Sequence, residues 1–336
     1  MDLETGAVAD PPAETLAEMY AMLIRARKLD ERCWILHRQG KIGFHISGMG
    51  HEAAQIGIAW AMRRGYDMLH PYYRDLAMVL ACGMPLTDVL LGSFGRQGDP
   101  SSGGRQMPNH YCYKPGNVFS VSSPVGTQLP QAAGLALAEQ LSGGDRVVVT
   151  CVGEGSTSEG DFHEAMIWAG VRKLPLVVVV ENNEYAISVP MRQQMAIERV
   201  SDRAGGYGVR GVSVDGLDML ASYRVAREAI DIARSGGGST LLEARVVRLT
   251  PHSSDDNDTT YRSVEEKIAL KAKDPLPRVR ASLIARGALT EAQALDIEER
   301  ALIEVDAAHR AAEAAPYPPN AWALGPVFAG SGDGHG

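Results

Sequence analysis

Two short apolar runs, Arg146 to Val152 and Leu176 to Val180, bracket a segment of helical periodicity from Asp161 to Arg172. This alternation constrains the fold more than anything else in the chain. Both runs are of strand length and rich in β-branched residues, and strand, helix, strand in that order requires a parallel pair joined by a right-handed crossover. The spacing predicts a further helix over Met219 to Arg234, a Gly-rich turn at Gly236 to Gly238 and a strand from Thr240 to Val247. Repeated alternation predicts an α/β fold, a parallel sheet sandwiched by helices on both faces.

Around that centre, Leu16, Met19, Tyr20, Leu23, Ile24 and Arg27 recur at helical spacing, so a long helix is expected over Glu14 to Gln39, ended by Gly40. A Gly-rich turn at Ile46 to Gly50 precedes a second helical run, His51 to Met62. From Gly92 to Pro124 the chain is rich in Gly, Ser, Pro, Asn and Gln and has no periodicity; so long an irregular stretch within a domain is functional or disordered. Helical segments over Val264 to Leu270 and Leu276 to Ala314 close the fold. The expected organisation is a flexible arm at residues 1–12, one α/β domain at 13–315 and a Pro/Gly-rich tail at 316–336, with no internal repeat.

Composition removes several classes of function. With 33 Lys and Arg against 41 Asp and Glu the net charge is −8, which leaves no large cationic surface for nucleic acid or an anionic membrane. Hydrophobic residues at 45% of 336 supply a core large enough to exclude general disorder. No uninterrupted apolar stretch reaches the roughly 18 residues that span a bilayer, and Leu176 to Val180 has the length of a buried strand. The acidic start MDLETGAVADPP lacks the features of a secretion signal. Cys33, Cys82, Cys112 and Cys151 lie far apart without a C-x-x-C pair, and are expected as reduced thiols in a cytoplasmic protein.

Gly153-Glu154-Gly155 follows the first central strand, at the carboxyl edge where parallel sheets place ligands. The second strand ends in Glu181-Asn182-Asn183, so both tips deliver polar groups to one edge. Two glycines allow close backbone approach to a phosphate, Ser156, Thr157 and Ser158 are candidate donors, and the following helix presents its positive end. Glu154 conflicts with an anion unless a cation lies between them. A divalent metal such as Mg²⁺, which takes about six hard oxygens from protein, phosphate and water, resolves the conflict, and Asn183 offers an amide oxygen. The rival is a dinucleotide site with Glu181 on a ribose; against it, Ser158 stands where a third glycine belongs and the turn carries its own acid.

Gly153-Glu154-Gly155, then 26 residues from Ser156 to Glu181, then Asn182-Asn183, resembles the thiamine-diphosphate fingerprint of transketolase-like enzymes. GRQMPNHY, PYYRDLA, SSPVGTQLPQAAG, GEGSTSEGDFHEA, ENNEYAIS and PHSSDDNDTTYRS narrow the resemblance, over roughly Leu16 to Ala315, to alpha subunits of the decarboxylase component of branched-chain 2-oxoacid dehydrogenases. The resemblance implies the thiamine-diphosphate-binding fold and Mg²⁺ held by Glu154, Asn183 and the Tyr185 carbonyl, with Glu154 standing where many members have aspartate. It further implies coenzyme contacts from Tyr73, Arg74, Ser123, Val125, Gly155 and Ser156, and K⁺ at Ser122, Pro124, Thr127 and Gln128. His252 is implied to work at the coenzyme and the reacting keto acid, with His110 a lesser candidate.

Some of these residues make chemical sense by themselves. Arginine is a fork for phosphate and tyrosine packs rigidly, so Tyr72-Tyr73-Arg74 suits a coenzyme clamp; alone, the segment reads sooner as a surface arginine beside core tyrosines, and the flanking matches reverse that order. The hydroxyls, carbonyls and amide of Ser122 to Gln128 suit a monovalent cation or an ordered turn. The acidic loop Ser253 to Thr260 is expected to be poorly held without coenzyme or partner. Ser253 matches a serine phosphorylated in eukaryotic relatives. Glu184 replaces a glycine common after the asparagine pair, and carries strain if its φ is positive.

By resemblance the reaction is oxidative decarboxylation of branched-chain 2-oxo acids such as 3-methyl-2-oxobutanoate, with the acyl group passed to the lipoyl domain of a dihydrolipoyl transacylase core. Pyruvate and acetoin are the near alternatives; a nicotinamide oxidoreductase and a non-catalytic coenzyme-binding scaffold are the remote ones. The resemblance places the glutamate that activates the coenzyme on a separate beta subunit, which implies two alpha and two beta chains and a chain inactive alone.

Overall fold

The computed structural model describes residues 8–325. Eleven helices and seven strands follow one another among them. Helices α1 (Ala13–Arg38) and α2 (Glu52–Ala61) precede strand β1 (Met68–His70), and α3 (Leu76–Ala81) and α4 (Leu86–Ser93) follow it. Next come α5 (Gln128–Ser142), β2 (Val148–Gly153), α6 (Gly160–Arg172) and β3 (Leu176–Asn182). A hairpin of β4 (Tyr185–Ala186) and β5 (Val189–Pro190) leads into α7 (Met191–Gln194). The chain continues through β6 (Arg210–Asp215), α8 (Met219–Arg234) and β7 (Thr240–Arg245), then α9 (Val264–Lys271), α10 (Pro275–Ala285) and α11 (Glu291–Ala314).

Five strands form one sheet in the order β1-β2-β3-β7-β6, every pair parallel. The α/β expectation is met, and the two-residue side-chain period of the strands divides the core. Val149 and Cys151 of β2, Val177 and Val179 of β3 and Leu242 and Ala244 of β7 face the core built with α1, α2, α3 and α8. Their neighbours Val148, Val152, Val178, Val180 and Leu241 face the core built with α5 and α6. A strand buried on both faces reads as an unbroken apolar run, which is why β2 and β3 were legible.

Other expectations need correction. The long C-terminal helical segment is two helices, parted where Gly287 takes φ +69° and Thr290 forms a capping box with Gln293. β1, β6 and the β4–β5 hairpin lay outside the expected elements. Of the arm at residues 1–12, residues 8–12 are described, and Asp10 bridges Arg224 and Arg286. Of the tail at 316–336, residues 316–325 are described: the Pro316 carbonyl accepts from Gln97 N–H at 3.0 Å, and Arg96 lies 3.9 Å from the Tyr317 ring centre. Residues 1–7 and 326–336 lie outside the described residues. The Gly92 to Pro124 stretch is ordered, irregular apart from a short turn at Lys114–Gly116, and it reaches the carboxyl edge of the sheet. Among the described residues the four cysteines are free, and no helix is long and apolar enough to cross a membrane.

Candidate active site

A cleft of about 460 Å³ opens at the carboxyl ends of β1, β2 and β3. The chain after β1 contributes Tyr72, Tyr73 and Arg74; the turn after β2 contributes Gly153, Glu154, Gly155, Ser156 and Glu159. Asn183, Tyr185, Ala186 and Ile187 enter after β3, and His252 after β7. The irregular stretch supplies Met107, His110 and Ser123, Val125 follows it, and Phe44 and Ile46 complete the wall. Residues far apart in sequence converge because parallel strands all finish at the same edge.

Glu154 is 1% exposed, and its Oε2 accepts from the Asn183 backbone N–H at 3.2 Å. Its Oε1 is buried and has no hydrogen-bond partner among the described residues. Burial pushes this carboxyl above its ordinary range, opposed by nearby backbone amides and by the positive charges of Arg248 and Arg74. A buried carboxylate oxygen without a donor is costly and fits a cation. Asn183 Oδ1 accepts from Tyr185 N–H at 3.3 Å, so amide oxygen and Tyr185 backbone share one turn. These three residues suit hard-oxygen coordination of Mg²⁺.

The neighbouring tip differs from expectation. β3 runs through Asn182, so Glu181 keeps the parity of Val177 and Val179 and points beneath the sheet. It is fully buried and does not line the cleft, which removes the ribose-binding role weighed for it. Glu181 Oε2 accepts from His51 Nδ1 at 2.6 Å, Tyr72 Oη at 2.9 Å and Gln55 Nε2 at 3.0 Å. Glu181 also lies with Asp75 and Cys151 in a buried group whose ligand-type atoms fall within 4.8 Å of one another. Burial and the Glu181 charge push Asp75 well above the carboxylate range; Glu181, which burial alone would raise, is held down by its bond to His51. The pair is thus driven apart, with Asp75 the more readily protonated of the two acids.

The glycines divide in role. A Cβ on Gly153 would meet nothing within 4 Å, leaving the open approach that a ligand needs. A Cβ on Gly155 would lie 2.7 Å from Ala186 Cβ, so hairpin packing dictates that glycine. The turn Glu154–Ser158 is a 3₁₀ helix, and α6 starts only at Gly160. Ser156 lines the cleft, whereas the Thr157 hydroxyl turns inward and donates to the Glu154 carbonyl at 2.7 Å. Ser158 is not among the lining residues, so one of the three hydroxyls faces the cleft.

Arg74 is buried and donates to the Ser47 carbonyl and, at 3.4 Å, to His252 Nδ1. Tyr73 packs edge-on to His252, with ring centres 6.1 Å apart. Because guanidinium only donates, His252 Nδ1 accepts and its proton sits on Nε2. Burial, together with Arg74 and Arg248, lowers the His252 pKa to about 3, against an opposing pull from Asp256. The imidazole is a neutral donor at ordinary pH. His110 Nδ1 faces the Met107 and Pro108 carbonyls at 3.1 Å, which leaves Nε2 to accept from the Ser123 hydroxyl.

The residues implied for K⁺ do not line the cleft. Thr127 Oγ1 donates to the Pro124 carbonyl at 3.0 Å, and Gln128 Nε2 to the Cys151 carbonyl at 2.9 Å. Gln128 Oε1 is buried without a partner among the described residues. Ser122 is half-buried and Pro124 is exposed.

The acidic loop is tied by the chain itself, unlike the poorly held segment expected. Asp256 accepts from His252 N–H at 2.8 Å and from the Tyr261 hydroxyl, which receives Arg248 Nη2 at 3.0 Å. Ser253 is buried. Arg248, lowered to about 10 by burial and by Arg74 and Arg262, also holds the Ile187 carbonyl at 2.8 Å. Glu184 takes φ +68° and Ile187 φ +56°, so this hairpin carries the strain anticipated at Glu184. The residues missed in sequence, His51, Gln55, Asp75 and Arg248, act beneath or behind the cleft; among them, His51 and Gln55 had a signal, one helical turn apart on one face.

The family described as dehydrogenase E1 component matches residues 20–321. The chain is 47% identical over 316 residues to the 2-oxoisovalerate dehydrogenase subunit alpha of Bacillus subtilis, covering 93% of this chain and 94% of that protein. It is 41% identical over 278 residues to the 3-methyl-2-oxobutanoate dehydrogenase subunit alpha of Mycobacterium tuberculosis, covering 83% and 73%. With the pyruvate dehydrogenase E1 component subunit alpha of Staphylococcus aureus it shares 36% identity over 307 residues, covering 91% and 80%.

Proposed function

The chain belongs to the dehydrogenase E1 component family, whose members depend on thiamine diphosphate, and from that premise we propose that it decarboxylates branched-chain 2-oxo acids as an alpha subunit. The observation that carries the site reading is the buried Glu154 oxygen left without a donor beside Asn183, in a cleft that also holds Arg74 and His252. Glu154, Asn183 and the Tyr185 carbonyl would hold Mg²⁺; Tyr73, Arg74, Ser123, Val125, Gly155 and Ser156 would frame the coenzyme. Gly155 serves by letting the hairpin close over the turn.

When bound, thiamine diphosphate supplies the nucleophilic carbon and the electron sink for loss of carbon dioxide. The chain's own groups orient and neutralise. Arg74 presents a permanent positive charge, buried and fixed by Ser47, to phosphate or carboxylate oxygens. His252 offers its Nε2–H as a neutral hydrogen-bond donor at the reacting keto acid. Phe44, Ile46, Met107, Val125 and Ile187 give an apolar wall suited to a branched aliphatic chain.

Membership of the family implies a beta subunit. Met107 at 54%, Val125 at 39% and Ile187 at 56% exposure leave an apolar rim on the cleft, which supports coverage by that partner. Two alpha and two beta chains, acyl transfer to a lipoyl domain of a transacylase core, K⁺ outside the cleft and a cytoplasmic location complete the proposal. Ferricyanide-coupled rates of the assembled complex test it: turnover of 3-methyl-2-oxobutanoate above pyruvate is expected, and preference for pyruvate replaces the substrate. Mg²⁺-dependent coenzyme binding with no turnover after adding the beta chain would indicate a scaffold. Turnover by the alpha chain alone overturns the division of labour.

A further inference from the structure

An amide ligates a hard cation through its oxygen, so a metal site that uses Asn183 depends on which way that amide is turned. His51, just ahead of α2 and fully buried, lies between Glu181 and Asn183. Its Nδ1 is 2.6 Å from Glu181 Oε2 and its Nε2 3.4 Å from Asn183 Nδ2. A carboxylate only accepts, so the His51 proton sits on Nδ1 and the lone pair of the neutral ring on Nε2. A lone pair there selects the NH₂ side of the Asn183 amide. Asn183 Oδ1 is thereby turned away, to the side where Tyr185 N–H approaches at 3.3 Å. Glu181 is itself fixed by Tyr72 and Gln55.

We propose that His51 is a positioning residue for the metal site: the chain Glu181, His51, Asn183 sets the amide with its oxygen toward the cation. This rests on the reading of Glu154, Asn183 and Tyr185 as Mg²⁺ ligands. The arrangement is that of an outer-shell hydrogen bond orienting a ligand, whose loss typically costs 10–100-fold in metal affinity.

Calorimetric titration of Mg²⁺ into the assembled complex at fixed thiamine diphosphate reads this without turnover. His51→Phe, which fills the space and accepts nothing, should raise the half-saturating Mg²⁺ concentration about tenfold or more. His51→Gln, whose side-chain oxygen can accept near the Nε2 position, should stay within about threefold of wild type. Equal Mg²⁺ affinity in wild type and His51→Phe overturns the proposal, as does equal weakening in both variants. A wild-type complex that takes up no coenzyme in a Mg²⁺-dependent way overturns the metal reading beneath it. A wild-type crystal structure with Mg²⁺ and thiamine diphosphate gives a check independent of variant folding. Asn183 Nδ2 within hydrogen-bond reach of His51 supports the proposal, and Asn183 turned away from His51 overturns it.

Discussion

Glu154 and Glu181 stand at neighbouring sheet tips, with Glu181 in register with Gly153, yet they are opposite kinds of buried acid. Glu181 Oε2 takes three side-chain donors, its Oε1 is buried without a hydrogen-bond partner among the described residues, and the acid does not line the cleft. Glu154 also keeps one buried oxygen without a partner among the described residues, but its other oxygen takes a single backbone N–H and the acid lines the cleft. The difference teaches that burial alone does not mark function. An acid held by several donors on the closed side of the sheet belongs to the architecture, and one short of donors at the cleft is set to receive a cation.

The largest expected effect breaks the comparison if it fails. Glu154→Ala should lower Mg²⁺-dependent coenzyme affinity by more than about 100-fold, since outer-shell losses alone reach that size. The unfolding midpoint of the coenzyme-free complex should stay at or above wild type, because an uncompensated buried acid has been removed. Calorimetry and thermal unfolding read the two halves. Unchanged coenzyme uptake would end the metal assignment.

Glu181→Ala should show the reverse pattern. Three buried donors lose their acceptor, so stability should fall by about 3–5 kcal/mol, measured by denaturant unfolding. Coenzyme affinity should fall less than in Glu154→Ala, since the metal ligands remain and only the support of Asn183 is lost. Equal effects of the two substitutions on both readouts would erase the distinction.

Which of these acids reaches the ligand was only partly legible in the sequence. The tips of β2 and β3 could be placed because strands buried on both faces announce themselves as apolar runs. The strand's true end could not: extending β3 by two residues carries Glu181 to the far face, and a period of two leaves no intermediate outcome. β6 escaped notice because a short edge strand buries only Val212 and Val214. The residues grouped by resemblance, Tyr73, Arg74, Ser123, Val125, Glu154, Asn183, Tyr185 and His252, do converge on one cleft. Their supports, His51 and Arg248, are set by contacts between elements that local pattern does not encode.

A smaller effect concerns pH. His252 has a pKa of about 3 in the folded chain against an ordinary 6.5. The unfolded chain therefore binds a proton that the folded chain refuses between those values, and stability falls as pH drops through that window. His252→Asn should flatten this part of the stability profile, read as unfolding midpoints from pH 7 to pH 4. A slope identical to wild type would show that another group carries it.

The smallest effect extends the comparison to a neutral atom. Gln128 Oε1 shares with Glu154 Oε1 the condition of a buried acceptor without a donor among the described residues. An amide oxygen carries no net charge, so a cation there gains less and a monovalent ion suffices. Replacing Na⁺ by K⁺ at constant ionic strength should raise the unfolding midpoint of the complex by a few degrees, and Gln128→Leu should abolish the difference. Since Gln128 Nε2 also ties α5 to the Cys151 carbonyl, Gln128→Leu lowers stability in both salts. The informative quantity is therefore the K⁺ minus Na⁺ difference. If that difference survives in Gln128→Leu, an unpartnered neutral oxygen does not mark a cation position, and the rule drawn from the two glutamates holds for charged groups alone.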